Sequence, residues 1–519
     1  MTENKHQEFG RLRSWFFPVY KSELKLFLPL ILMFFFICFN YNILRAAKDS
    51  LVVTAPSSGA EIIPFIKVWV ILPMAFLMTL LFTRLANRYS TEKVFYIMMS
   101  IFLGFFVLFS SVLFPFRDVL HPHHFADRME SYLPLSLKGF VALIRNWTYT
   151  TFYVMAELWS TTIMTVLFWG FANEILNVKT AKRFYVLILI GGNISAICAG
   201  GTSTFISQLA GKWMTSASSD PWQYSLLLIS SIVVVGGFII VGIFRWLHTN
   251  ILQNPAYKQH LTYDTAKSTV KMSLRKNFQY LAKSKYLLCI ATIVLTYNIC
   301  INLTEVTWKD QLLHICPQPN DFNGYMGQVT MWVGIVATVI ALITSVIIRR
   351  LSWTFNAMIP PVLLLITGVG FFSFLLFKDS AIGLSLGTFL GCTPLALGIL
   401  FGSFQQVISR ASKYTIFDAT KELSFIPLSR ESKLKGKAAI DGVGSRLGKS
   451  GSALIYQALL MFFGTVSATV PYVAGILLIV IAAWMAAVYF LGKQFNSLTA
   501  QHETVVIPEP APATQQVPI

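Results

Sequence analysis

Two short segments place cations where cations are expensive. Arg45-Ala-Ala-Lys48 and Arg446-Leu-Gly-Lys449 each space two basic residues three apart, which puts both on one face of a helix. Both lie in or beside long apolar stretches. A charge at the centre of a bilayer costs roughly 2.5–3.5 kcal/mol on insertion scales unless it faces protein or water, so such residues are functional candidates by default. Guanidinium forks and ammonium groups both suit phosphate oxygens, and two facing pairs could hold a polyanion between them. The plain alternative is local neutralisation, by Asp49 for Arg45 at i+4 and by Asp441 for Arg446.

Two acids also stand in apolar surroundings, Glu157 (FYVMAELWSTT) and Glu305 (NICINLTEVTW). Each could pair a lysine in the empty protein, accept from an amine or hydroxyl of a cargo, or carry a proton. Each could equally be a fixed inter-helix salt bridge. Asn193, beside Gly191-Gly192 in mid-span, could contact cargo or bind helices together. Asn173-Glu174 reads as structural, near a helix end. Lys67 and Arg145 also lie near helix ends, where long side chains snorkel to the interface.

Other motifs carry less. Gly442 to Ser450 looks like a phosphate-binding P-loop, but Gly444 leaves three residues and Gly442 five before Gly448-Lys449-Ser450, where four are required. Gly444 and Gly448 instead make a GxxxG face for close helix approach. His121, His123 and His124 read as a solvated loop. The six cysteines show no metal-like spacing, so no metal and no cofactor is expected.

The elements that must position these residues are membrane helices. Only 12% of the 519 residues are charged, about half the usual share for a soluble domain, 55% are hydrophobic, and the mean hydropathy is +0.62. Uncharged runs such as Leu26 to Leu44, Val94 to Phe114 and Ala474 to Leu491 approach or reach the roughly 20 residues that span a bilayer. Spans are expected near 26–47, 62–83, 93–115, 148–173, 184–206, 223–246, 286–307, 325–348, 355–377, 380–403, 438–465 and 469–492. No cleavable signal peptide is evident in the polar, basic start.

With those spans, most of the 41 Lys and Arg fall on one side. Arg117, Arg128, Lys138, Lys212, Lys309 and Lys378 fall on the other. That asymmetry puts both termini in the cytoplasm, and it accounts for the net charge of +18 without a nucleic-acid partner. The chain then divides into a basic N-terminal segment (1–25), a six-helix half (26–246), a cytoplasmic linker (247–285), a second six-helix half (286–492) and a polar, disordered tail (493–519). The fold class is an all-α membrane protein of about twelve transmembrane helices in two six-helix halves, major-facilitator-like, with cargo between the halves. A faint repeat supports the division: Tyr41-Asn42-Ile43 and Tyr297-Asn298-Ile299 occupy matching positions in the first span of each half.

At these residues the chain resembles the ATP/ADP translocase family of plastids and obligate intracellular bacteria. The matching segments are ILRAAKDSLVVT (43–54), MAELWSTTIMTVLFWGFANEI (155–175), NLTEVTWKDQL (302–312) and KYTIFDATKELSFIPLSRESKLKGKAAIDGVGSRLGKSG (413–451). The likeness runs from about residue 20 to 495. It implies twelve membrane helices and exchange of external ATP for internal ADP and phosphate. The family's essential intramembrane Lys, Glu, Glu and Lys resemble Lys48, Glu157, Glu305 and Lys449, and its phosphate-linked asparagine resembles Asn193. It further implies the inner membrane of an intracellular bacterium as location and ATP, ADP and phosphate as cargo; a monomer in the lipid bilayer is expected.

The residues therefore suggest a secondary transporter rather than an enzyme, with Lys48 and Arg45 facing Lys449 and Arg446 around the phosphates. Two rivals stay open at this point. One is a proton-coupled net importer of nucleoside triphosphates using Glu157 or Glu305. The other is a membrane enzyme on a phosphorylated lipid, against which stands the lack of paired extramembrane carboxylates, a metal cluster or an activated nucleophile. Tyr153, Phe152 and Trp169 are candidates to stack on a base.

Overall fold

The computed structural model describes residues 19–176, 178–213, 220–252, 284–428, 436, 440 and 445–506, and among these there is no strand. The long helices are α1 (Leu24–Val53), α2 (Ile62–Arg88), α3 (Thr91–Leu113), α4 (Trp147–Ile175), α5 (Val178–Trp213), α6 (Pro221–Ile251), α7 (Lys285–Ile315), α8 (Pro319–Arg350) and α9 (Trp353–Leu376). They are followed by α10 (Ala381–Leu390), α11 (Pro394–Ser424), α12 (Ser445–Phe463) and α13 (Val466–Val506).

Ten of these helices are long and apolar enough to cross a membrane, and the bent pair α10–α11 makes an eleventh. The segment expected at 438–465 is represented by α12, whose preceding residues 441–444 lie outside the described set. The segment expected at 380–403 is not one straight span. It breaks at Gly391, which holds a left-handed φ of 68°, and Thr393 then caps a new helix by accepting from the Ala396 N–H, with Pro394 in its first turn. A left-handed glycine closing one helix and a capped proline opening the next is a stop followed by a start. The two pieces meet at 80°, and α11 runs on to Ser424, well past the expected end.

Helix direction alternates, so α1 and α13 leave the chain ends at one face of the bundle. There Arg183 of α5 forks onto Glu23 ahead of α1, and the Tyr286 hydroxyl of α7 donates to the Ser424 carbonyl of α11 at 2.6 Å. At the opposite face, Arg117 meets Asp220 at 2.9 Å. The segment between α3 and α4 folds into short helices there, Arg117–Leu120, His123–Tyr132 and Lys138–Arg145. Arg145 does not snorkel. It is buried and forks onto Asp127 and Glu130 at 2.7 Å each. His121, expected in solvent, is buried against the Thr148 hydroxyl at 2.7 Å.

Helix α6 continues to Ile251, inside the expected linker, of which residues 253–283 lie outside the described set. Helix α13 reaches Val506, inside the expected tail.

The first six helices meet the later ones along two seams. One joins α5 to α8, where the chains approach closely through glycines. A Cβ added to Gly200 would sit 2.4 Å from the Gly327 carbonyl oxygen, and one added to Gly334 would sit 2.7 Å from the Asn193 carbonyl oxygen. Thr204 and Ser207 bond to Gly324 and Asn323 across it, at 3.1 and 2.9 Å. The other seam joins α1 and α2 to α7 and α12, and it is held shut towards the face opposite the termini. There Gln457 of α12 donates to the Pro64 carbonyl at 2.9 Å and accepts from Trp69 at 3.3 Å. The remainder of α2, towards the terminal face, is largely exposed.

Candidate functional site

Helices α1, α4 and α7 are the most buried spans, and they carry the charges. On α1, Arg45 and Lys48 share a face about one turn apart, with Asp49 beside Lys48. Asp49 is four residues from the helix end, about 6 Å at 1.5 Å per residue. On α4, Tyr153 and Glu157 are again one turn apart, and the helix widens into π-turns over Ser160–Phe168 immediately after them. Such wide turns are common beside functional groups.

These residues form one connected network. The Lys48 ammonium lies 3.2 Å from Glu157, 3.4 Å from Asp49 and 3.7 Å above the centre of the Tyr153 ring. Asp49 reaches across the seam to Lys309 of α7 at 2.8 Å. Lys309 donates to Glu305, one turn earlier on α7, at 2.8 Å. The same Glu305 oxygen accepts from Arg410 of α11 at 2.8 Å and lies 3.8 Å from Arg45 of α1. A continuous path of charge thus runs from α4 through α1 and α7 to α11. Lys67 of α2 makes a further crossing, donating to the Asn302 amide oxygen of α7 at 2.6 Å.

Burial makes the network consequential. Lys48 is 4%, Asp49 0%, Lys309 1%, Arg410 3% and Glu305 7% exposed. Removing one partner of a buried pair leaves an uncompensated charge, typically worth about 3–5 kcal/mol. Exchanging one anionic partner for another carries no such penalty. The cations Arg45, Lys48, Lys67, Lys309 and Arg410 outnumber the acids Asp49, Glu157 and Glu305. A surplus of buried and half-buried donors suited to oxyanions, spread over both sides of a seam, can take up a multiply charged anion by such an exchange.

Of the residues singled out in the sequence, Lys48, Arg45, Glu157 and Glu305 converge here. Lys449 lies on α12, exposed, within Coulombic range of Glu157. Its neighbour Gly448 packs on Asn298 of α7, where an added Cβ would meet that side chain at 2.9 Å. The side chain of Arg446, together with Gly444 and Asp441, lies outside the described residues. Asn193 is half-buried on α5 at the crossing with α8, in the other seam. Glu174 is exposed near the end of α4.

Several expectations need correction. Asp49 does not neutralise Arg45; it pairs with Lys48 and Lys309, and Arg45 turns to Glu305. Lys309 is not in a loop, because α7 continues to Ile315 and buries it. Arg410 was missed because α11 runs beyond the expected end at 403. Lys67 does not snorkel; it turns inward, from a stretch of wide turns over Ile66–Ile71, to reach α7. Among the aromatic candidates, Phe152 is sealed in a cluster with Phe106 and Phe109, and Trp169 packs edge-on to Phe34 and Tyr185. Tyr153 lies under Lys48.

Comparison with solved structures supports the architecture. A bacterial homologue of the iron transporter ferroportin, in an inward-facing state, superposes with a TM-score of 0.54 at 15% identity, covering 92% of this chain and 100% of that one. The E. coli xylose transporter XylE, partially occluded and inward open, gives 0.52 at 11% identity, over 91% and 98%. These are major-facilitator-type transporters, and at such low identity they speak for the fold alone.

The sequence comparisons are closer. ADP,ATP carrier protein 1 of Chlamydia pneumoniae is 44% identical over 518 residues, 99% of this chain and 100% of the relative. A chloroplastic ADP,ATP carrier protein 1 of Arabidopsis thaliana is 40% identical over 487 residues, covering 94% and 76%. The family described as TLC ATP/ADP transporter matches residues 2–495. With its charged seam inside that match and the Chlamydia pneumoniae relative aligned over its whole length, the chain belongs to the TLC ATP/ADP transporter family.

Proposed function

We propose that this protein exchanges external ATP for internal ADP, with phosphate leaving beside ADP, by rocking its two halves about the charged seam. The observation that carries the reading is the buried network joining α1 and α4 to α7 and α11, with cations in excess of acids. Lys48 and Arg45 on one side, and Lys449 and Arg446 on the other, grip the phosphates. Glu157 and Glu305 hold the cations while the site is empty and give them up when the nucleotide arrives. Asn193, on the second seam, takes part in phosphate export. ATP and ADP differ by about one charge near pH 7, so accompanying phosphate keeps the exchange from moving net charge.

Both termini are cytoplasmic in this reading, which the charge asymmetry of the sequence supports, and the protein works as a monomer in the inner membrane. The face closed by Gln457 against Pro64 and Trp69 is then the external one.

The test is uptake of labelled ATP into proteoliposomes preloaded with ADP, with ADP plus phosphate, or with nothing. Uptake that requires internal ADP is expected. Uptake into empty vesicles driven by a proton gradient, and shared by GTP, CTP and UTP, would overturn the exchange in favour of net import.

A further inference from the structure

We propose that Lys67 is an additional ligand for the phosphate chain of the transported nucleotide, and that it sets the preference for longer chains. The inference rests on nucleotide exchange at the charged seam. Its own ground is the difference between Lys67 and the paired cations of the network. Lys48, Lys309, Arg410 and Arg45 each have a carboxylate within 4.0 Å. Among the described residues Lys67 has none, and its ammonium bonds to the neutral Asn302 amide. It nonetheless lies within Coulombic range of Glu305, Glu157, Lys309 and Lys48, inside the same field.

Two consequences follow from that partner. An ammonium held by an amide oxygen turns to a phosphate oxygen by breaking one hydrogen bond to a neutral group, without stranding a buried anion. Each of those four cations must leave a carboxylate behind. Lys67 is therefore more readily redirected to substrate than Lys48, Lys309, Arg410 or Arg45. Its rung on α7 also matters. Asn302 lies one turn, about 6 Å, beyond Asn298, the residue against which Gly448 packs next to Lys449. The packing of Gly448 on Asn298 thus brings the α12 backbone at Lys449 to the turn of α7 next to the one that Lys67 reaches from α2. A polyphosphate reaching past the Lys449 rung meets Lys67, and a monophosphate does not.

The lysine is also positioned to reach inward. It sits in the wide turns of α2 over Ile66–Ile71. Beside it, a small cleft between α2, α7 and α12 is bordered by Ser452 and Tyr456, so the ammonium is not packed in on every side.

The experiment compares wild type, Lys67→Gln, Lys67→Arg and Asn302→Asp in ADP-loaded proteoliposomes, with ATP, ADP and AMP competing against labelled ATP. Gel-filtration profiles in detergent confirm folding. Wild-type uptake tests the exchange itself, so its absence would count against that reading and not against the role of Lys67 within it. Given wild-type uptake, Lys67→Gln should weaken competition by ATP about tenfold or more, as for a lost hydrogen bond to a charged group, and leave AMP nearly unchanged. Lys67→Arg should restore much of the preference. Asn302→Asp keeps the lysine but pins it to a new carboxylate, and it should erode the ATP preference in the same direction. An unchanged ratio of ATP to AMP competition in either folded Lys67→Gln or folded Asn302→Asp would overturn the proposal. An equal loss for all three nucleotides would do so as well.

Discussion

The two seams between the halves are built from different chemistry. Along α5 and α8 the contact is made by Gly200, Gly327 and Gly334, with short hydroxyl and amide bonds from Thr204 and Asn323. Along α1, α2 and α7 it is made by ion pairs and the Lys67–Asn302 bond. Glycine contact at backbone distance has one good geometry, since any separation forfeits dispersion along the whole crossing. An ion pair can trade its partner for another of like charge. The first seam is suited to act as a pivot and the second to open and close around an anion.

That contrast can be broken or sharpened by mutation. The largest effect is expected from neutralising the charged seam where cargo would touch it. Lys48→Gln or Lys449→Gln should lower ATP exchange by about a hundredfold or more, as for a lost charge-assisted phosphate contact, while the protein still elutes as a folded species. Normal uptake by both variants would remove these residues from the site.

Next come the partners that cross the seam. Asp49→Asn alone leaves Lys309 only Glu305, which Arg410 shares, and Lys309→Gln alone leaves Asp49 only the longer contact to Lys48. Each should destabilise, by at most about 3–5 kcal/mol. The double variant should recover much of that in thermal unfolding, and simple additivity would show that the two are not energetically coupled.

The pivot should respond through packing. Gly200→Val pushes a side chain into the Gly327 carbonyl and the Met331 backbone nitrogen, at 2.4 and 2.5 Å for the Cβ alone. A cost of about 1–3 kcal/mol is expected, seen as a lower melting temperature together with slower exchange. Full activity would mean that this crossing need not stay close.

The smallest effect should come from outside both seams. Burial, followed by the neighbouring His123, lowers the His121 pKa to about 4 from the ordinary 6.5. The folded protein therefore resists protonation there more than the unfolded chain does. The neutral imidazole favours folding fully above pH 6.5, and that contribution is lost as pH falls from 6.5 towards 4. His121→Gln should flatten the melting temperature over that window and leave exchange at pH 7 unchanged. An unaltered pH profile would exclude His121 from the acid response.

Much of this was legible in the sequence, for reasons that also explain the misses. Uncharged runs reveal spans because the bilayer imposes a length. Lys48, Glu157 and Glu305 stand out because they interrupt such runs. Lys309 and Arg410 escaped notice because hydropathy marks where apolar residues end, not where a helix does. Both helices continue into polar residues that protein, not lipid, surrounds. The break at Gly391 was readable in Gly-Cys-Thr-Pro, a glycine stop with a capped proline start. The pairing of Asp49 with Lys309 was not readable, since it depends on how α1 and α7 face one another across 260 residues of chain.

The unequal tally of charge in the network, among the described residues, bears finally on leakage. With five cations facing three acids, an unloaded carrier that turned over would drag uncompensated charge through a medium that solvates it poorly. A loaded one carries its own counter-ions. Idle turnover is thereby discouraged at the same residues that would recognise the cargo, and strict one-for-one coupling needs no separate lock.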